Sequence, residues 1–287
     1  MSEATIGVIG GSGLYEMEGM TGIEEVKPET PFGEPSDSIV IGELDGMRLA
    51  FLPRHGRGHR FSPTEIPVRA NIFALKSLGV KWIVSVSAVG SLKEEIHPVD
   101  LVIPDQLIDR TKSRVNTFFG GGIVAHLSFA EPYCPVLSGI LYESALDTGA
   151  TVHNGGTYVA MEGPLFSTKA ESNLYRSWGA DVIGMTALPE AKLAREAEIC
   201  YAALACVTDY DTWHETEETV TIDFAIANLL KNVETAKATV SRVAARIPAK
   251  RECACASALE RGIITAPDLI PEQMKKDLDL LIGKYIE

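Results

Sequence analysis

The sequence predicts an α/β fold, a mixed central β-sheet flanked by helices in a single domain. Three observations lead there. Strand-like apolar runs recur along the chain, helical patterns sit between several of them, and no Pro/Gly/Ser-rich linker, repeat or low-complexity segment divides the 287 residues. A 46% apolar fraction is ample for one substantial core.

Residues 5–9 form an apolar run that ends in Gly10, Gly11 and Gly13. Two further runs, 38–44 and 47–52, read as strands. Residues 68–79 carry apolar side chains at helical spacing and close on Gly79. "WIVSVSAVG" (82–90), "DLVIPDQLID" (100–109) and "TYVAM" (157–161) read as strands, and 167–179 as a helix that also ends in glycine. Residues 188–199 open with a proline suited to a first helical turn and carry alternating charges. A strand follows at 200–210, then a long amphipathic helix at 221–247. Composition changes at "PAKRECACASALERG", so residues 249–287 read as a C-terminal extension of short helices.

The formal charge of −13 argues against non-specific attraction to nucleic acid or to anionic membrane. No window is long and apolar enough to span a bilayer, and "MSEATIGV" lacks the basic-then-apolar start of a signal peptide. A soluble, cytoplasmic protein is expected. The five cysteines, Cys134, Cys200, Cys206, Cys253 and Cys255, do not form a secreted disulfide framework.

"IGVIGGSGLY" (6–15) raises the question of phosphate. The dinucleotide fingerprint fails, because the third glycine position after Gly11 is Glu16, and no Gly-Lys-Ser/Thr exists for a P-loop. What remains is either a tight turn or a short backbone nest with one hydroxyl, Ser12, fit for a small anion. "RHGRGHR" (54–60) packs Arg54, Arg57, Arg60, His55 and His59 into an acidic chain at a strand end. Guanidinium grips phosphate through two parallel hydrogen bonds and imidazole adds a donor, so phosphate capture is expected. A metal on His55 and His59 is disfavoured by the arginines around it; a solvated loop paired with surface acids is the plain alternative. At 85–91, Ser87 and the Ala88 amide either reach an anion or mark a tightly packed sheet edge. Thr186 stands where a helix should begin, as an N-cap beside free amides.

Taken together, "GVIGGSGLY", "TPFGEPSD", "RHGRGHRFSP", "RANIFALKSLG", "AVGSLKEEIHPVDLVIPDQLIDRT", "AEPYC", "EGPLFSTKAES", "WGADVIGMTALPEAKLAREAEICYA" and "TDYDTWHE" resemble the S-methyl-5′-thioadenosine phosphorylases of the trimeric purine nucleoside phosphorylase superfamily. The likeness runs from about residue 5 to about 247. It implies a nucleoside phosphorylase-like fold. It also implies a phosphate site of Ser12, Arg54, His55, Ser87, Ala88 and Thr186, with Met185 against the ribose and Phe166 facing the base. Many relatives have Thr where this chain has Ser12 and Ser87, and the hydroxyl donor survives that change.

Enzymes for 6-oxopurines resemble this chain but carry Glu at the position of Ser167 and Asn at that of Asp209. A carboxylate accepts from the N1–H of a 6-oxopurine and repels the bare N1 of adenine. Asp209 and Asp211 accept from a 6-amino group, and protonated Asp209 donates to N7, so the resemblance implies adenine. Without it, "DYD" is an acid pair at a loop start. The resemblance places His59, Ile222, Ala225 and Ile226 along an apolar 5′ pocket, where a methylthio group sits better than a hydroxyl left unpaired. It places His126 and Phe129 in a segment reaching into a neighbouring subunit, which implies a homotrimer or a dimer of trimers. No metal or organic cofactor is expected, and phosphate is a co-substrate. A broader phosphorylase acting on adenosine or inosine, and a non-catalytic adenosine-type sensor, are the alternatives. Some thermostable relatives carry a Cys-x-Cys that forms a disulfide; for Cys253 and Cys255, two free thiols are the default expectation.

Overall fold

Ile6, Val8 and Ile9 lie on β1 (Ile6–Gly10), all of whose residues are buried. Strand β1 runs parallel between β4 (Met47–Pro53) and β5 (Trp82–Ser91). On the far edge of β5 lies β11 (Cys200–Asp209), also parallel and buried throughout. Strands covered on both faces read as near-continuous apolar runs, which is why these were legible. The computed structural model describes residues 3–11, 13, 14, 17–214 and 222–286, with 222–227 and 229 described as helical backbone only.

Among the described residues the sheet has eleven strands and is mixed. Beyond β4 it continues antiparallel through β3 (Ile39–Leu44) to β2 (Thr21–Val26). At the tip of β5 it continues through β10 (Val182–Gly184), β9 (Thr157–Met161) and β7 (Gln106–Arg110). A branch leaves β11 through β6 (Leu101–Ile103) to β8 (Val152–Asn154). The α/β class with a mixed sheet and flanking helices therefore holds.

One expected strand differs, and three short strands were not expected. The single strand expected at 100–109 is two strands, β6 and β7, separated at Pro104, which has no N–H for a ladder. The halves pair with different partners. The three-residue strands β8 and β10 are too short to announce a period, and β2, mostly exposed at the sheet edge, presents no apolar run.

Helices α1 (Val68–Ser77), α2 (Pro135–Leu146), α3 (Lys169–Ser177), α4 (Glu190–Glu196) and α5 (Ile222–Arg246) cover the sheet. The apolar residues of α2 are spread around it rather than gathered in one stripe, so no helical face stood out. Helix α3 opens with a capping box. Thr168 Oγ1 accepts from the Glu171 amide at 3.2 Å, and the Glu171 carboxylate accepts from the Thr168 amide at 2.8 Å. The chain closes with α6 (Glu272–Asp277), α7 (Asp279–Ile282) and short 3₁₀ turns. Leu259, Ile270, Leu278, Leu281 and Ile282 of that extension are buried in the same apolar cluster as Ile39, Ile72 and Ile83. Among the described residues no helix is long and apolar enough to cross a membrane.

Candidate active site

The parallel strands β1, β4, β5 and β11 all end at one cavity of about 610 Å³. Ligands of open α/β sheets bind outside the carboxyl ends of the strands, and this volume suits a small molecule. Gly11, Arg54, His55, His59, Ser87, Ala88, Phe166, Met185, Thr186, Asp209 and Asp211 line it. Thus ten residues expected at the site from separate stretches of chain converge: this set less Gly11.

At one end stands Arg54, buried at the tip of β4. Its Nε donates to Glu190 Oε1 at 2.5 Å, and its Nη2 to Ser85 Oγ at 2.7 Å and Glu190 Oε2 at 3.3 Å. Nη1 donates to the Val86 carbonyl at 2.8 Å. The guanidinium fork expected to grip phosphate from both sides is therefore occupied by Glu190. Nη1 has two hydrogens and one acceptor among the described residues, so a single N–H is left for the cavity. Burial opposes the charge on Glu190, yet the Arg54 guanidinium holds its carboxyl below the usual range. Tyr201 donates to the same carboxylate at 2.9 Å.

His55 differs from expectation in one respect. Its Nδ1 lies 2.8 Å from the Phe61 carbonyl, which can only accept, so Nδ1 carries the proton. Burial holds the imidazole down at about 4 despite that bond. Near neutral pH Nε2 is therefore a lone-pair acceptor, where a donor had been expected. The His59 ring stacks on it at 4.1 Å between centroids. Arg57 and Arg60 turn away: Arg57 donates to Glu25 at 2.8 and 3.1 Å, and Arg60 lies 3.4 Å from Asp37. The basic island is divided, its outer arginines matching the solvated-loop alternative.

Ser87 Oγ is buried with no hydrogen-bond partner among the described residues. Because Ser87 also lines the cavity, that hydroxyl is placed to meet a ligand. Thr186 Oγ1 lies 3.0 Å from the Tyr158 hydroxyl. Thr186 is not the expected N-cap: Pro189 occupies that position and α4 begins at Glu190. Ala187, at φ +67°, turns the chain between them. What holds this turn is Arg114, which donates to the carbonyls of Met185 (2.8 Å), Leu188 (2.7 Å), Met161 (3.1 Å) and Glu162 (2.7 Å).

At the other end, Asp209 closes β11 and Asp211 follows at φ +53°. Burial pushes the Asp209 carboxyl up, against hydrogen bonds from Thr208 and the Asp211 amide. Burial pushes Asp211 up to about 6, and the neighbouring Asp209 adds to it. Gly90 makes the pair possible: a Cβ there would meet Asp209 Oδ1 at 3.0 Å and Asp211 Cβ at 3.1 Å. Helix α5 is tied beside them by Asn228 and Asn232, whose Nδ2 atoms donate to the Thr208 and Val207 carbonyls at 2.9 and 3.0 Å.

Other expected residues fall elsewhere. Ser167 does not line the cavity but stays beside the acid pair: it is buried, its hydroxyl 3.6 Å from Met161 Sδ and within hydrogen-bonding reach of the Asp211 carboxylate. His126 is exposed and Phe129 half-buried, and neither lines the cavity of its own chain. Ser12 and the side chains of Ile222, Ala225 and Ile226 lie outside the described residues. Glu190, Arg114, Asn228 and Asn232 were missed. Glu190 falls among the alternating charges of the 188–199 segment, and nothing local to any of the four distinguishes it.

The model of the phosphorylase superfamily matches residues 5–247. This chain belongs to that superfamily. Within the superfamily, it is 60% identical to an S-methyl-5′-thioadenosine phosphorylase of Geobacter sulfurreducens over 99% of this chain and 100% of that one. It is 58% identical to one from Koribacter versatilis, over 99% and 97%. Among solved superfamily structures, a methylthioadenosine phosphorylase from an Antarctic soil metagenomic library superimposes with a TM-score of 0.94 at 52% identity, over 98% of this chain and 99% of that one. A methylthioadenosine phosphorylase from Schistosoma mansoni in complex with adenine gives 0.81 at 33% identity, over 98% of each. The chain is accordingly an enzyme of the phosphorylase type.

Proposed function

We propose that this chain catalyses the reversible phosphorolysis of S-methyl-5′-thioadenosine to adenine and 5-methylthioribose 1-phosphate. The single observation that carries this reading is one cavity with unspent donors at one end and a buried acid pair at the other. The names of full-length relatives at 60 and 58% identity support the same substrate.

Phosphate takes the end lined by Arg54, His55, Ser87, Ala88 and Thr186. Arg54 supplies one N–H, Ser87 its unspent hydroxyl, and His55 Nε2 accepts from a P–OH. The anion sits beneath the ribose and attacks C1′ as the C1′–N9 bond breaks. Positive charge developing on the sugar ring is stabilised by the phosphate anion. Negative charge developing on the purine is relieved by Asp209, which donates to N7, while Asp211 accepts from the 6-amino group. Placing nucleophile and leaving group in one cavity supplies the proximity term. The mechanism draws on no metal or organic cofactor.

His126 and Phe129 lie outside the cavity of their own chain, and we assign them to the 5′ side of a neighbour's cavity in a homotrimer. The activity belongs in purine and methionine salvage in the cytoplasm; none of the five cysteines is joined in a disulfide, which suits a reducing compartment.

The test is a substrate panel of methylthioadenosine, adenosine and inosine, with and without phosphate. Free adenine should appear from methylthioadenosine only when phosphate is present, with kcat/KM highest for that substrate. Release without phosphate, or a preference for inosine, would refute the reading.

A further inference from the structure

We infer that Cys134, Cys200, Cys253 and Cys255 form a tetrathiolate site for a structural metal ion of the zinc class. Their Sγ atoms all lie within 4.8 Å of one another, and three of the four residues are buried. Zn–S bonds of about 2.3 Å arranged tetrahedrally place the sulfurs about 3.8 Å apart, so the cluster is already near that size. The Cys200–Cys253 pair, at 3.2 Å, need only open by a few tenths of an ångström. Four mutually close sulfurs match one four-coordinate centre better than two separate cross-links.

The four come from three places: Cys134 at the N-cap of α2, Cys200 at the start of β11, and Cys253 and Cys255 just beyond α5. The twelve-residue α2 directs the positive end of its dipole toward Cys134, which offsets part of the anionic charge of a metal tetrathiolate. On binding, four S–H bonds break, four S–Zn bonds form and the protons leave to solvent, with no change of oxidation state. Soft thiolates select zinc over magnesium or calcium. The ten residues of β11 separate Cys200 from Asp209, about 30 Å along an extended strand, so the metal is remote from the cavity. Its role is to clamp the C-terminal extension to the sheet and α2. Cys206, deep in the same strand and pushed up to about 12 by burial, lies outside the cluster.

The test uses the intact protein. It is reduced, freed of metal under anaerobic conditions, and titrated with zinc chloride or cobalt chloride. The expected result is uptake of about one equivalent per chain, with the charge-transfer and d–d bands of tetrahedral cobalt thiolate. Thermal unfolding should shift upward with zinc and return with chelator. Cys253→Ser should lose the cobalt thiolate bands and the zinc-dependent shift. Should that variant fail to fold, the wild-type titration decides alone. Absence of metal uptake by the reduced protein overturns the assignment, whether the isolated protein carries four free thiols or two disulfides. Uptake that persists with unchanged cobalt bands in folded Cys253→Ser overturns it as well.

Discussion

The backbone amide of Asp211 donates to Oδ1 of Asp209 at 2.9 Å, fixing the plane of the first acid by the position of the second. The single proton of Thr208 Oγ1 can go to Asp209 Oδ2, at 2.7 Å, or to the Val89 carbonyl, at 3.2 Å. The first arrangement suits an ionised Asp209 and the second a protonated one, so the surroundings accommodate both states of a group that cycles a proton. Asp211 itself takes a positive φ, a region that residues other than glycine enter rarely.

Asp209→Ala should lower kcat for methylthioadenosine about 10²–10⁴-fold, the usual worth of a positioned acid. KM for phosphate should change little, because the phosphate end is built from other strands. Steady-state rates with phosphate varied at saturating nucleoside check both. Near-wild-type kcat would remove Asp209 from the acid role.

Asp211→Asn should stabilise the protein at neutral pH while weakening nucleoside binding. The folded state holds Asp211 at about 6, above its ordinary 3.8. Below the ordinary value both folded and unfolded chains are protonated and no penalty exists. Between 3.8 and about 6 the unfolded chain ionises first, so the penalty grows as pH rises and is complete above about 6. The shift corresponds to about 3 kcal/mol. Unfolding curves at pH 4 and pH 7.5 should show the variant's advantage only at the higher pH. An equal effect at both would contradict the burial argument.

Ser87→Ala removes a hydroxyl that makes no protein hydrogen bond among the described residues, so its midpoint of unfolding should stay close to wild type. Its KM for phosphate should rise about tenfold or more, the loss of one hydrogen bond to a charged group. Initial rates and a thermal melt separate the two effects. A destabilised variant with normal phosphate KM would assign the hydroxyl to structure.

Glu190→Gln keeps the shape behind Arg54 but removes the opposite charge. Leaving one partner of a buried ion pair uncompensated costs up to about 3–5 kcal/mol. The unfolding midpoint should fall, and KM for phosphate should rise more than KM for nucleoside as Arg54 turns. A variant with unchanged phosphate KM would show that Arg54 does not position the anion.

Legibility differed from residue to residue. The strands at 6–10, 82–91 and 200–209 were visible because burial on both faces imposes an unbroken apolar run. The capping residues of α3 were local too, though Thr168 needed the structure to be separated from Ser167. Arg54 was recognised as a functional cation, yet its principal partner lies 136 residues away, and no local window contains both. Arg114 gathers carbonyls from 47 to 74 residues distant, and carbonyls carry no sequence identity at all. Thr186 misled because Thr-x-x-Pro reads as a helix start, whereas a turn at Ala187 intervenes.

By itself the sequence determined the layer class, the order of its strong elements, the family and the kinds of side chain that face the ligand. These follow from patterns spanning a few residues, where periodicity and turn chemistry act. Only the tertiary structure decided which of those side chains are free to act. It set Glu190 on the guanidinium fork, left Ser87 unspent, turned Arg57 and Arg60 outward, and drew four distant cysteines together. Those outcomes depend on strand register and long-range packing, which join residues that the chain keeps far apart.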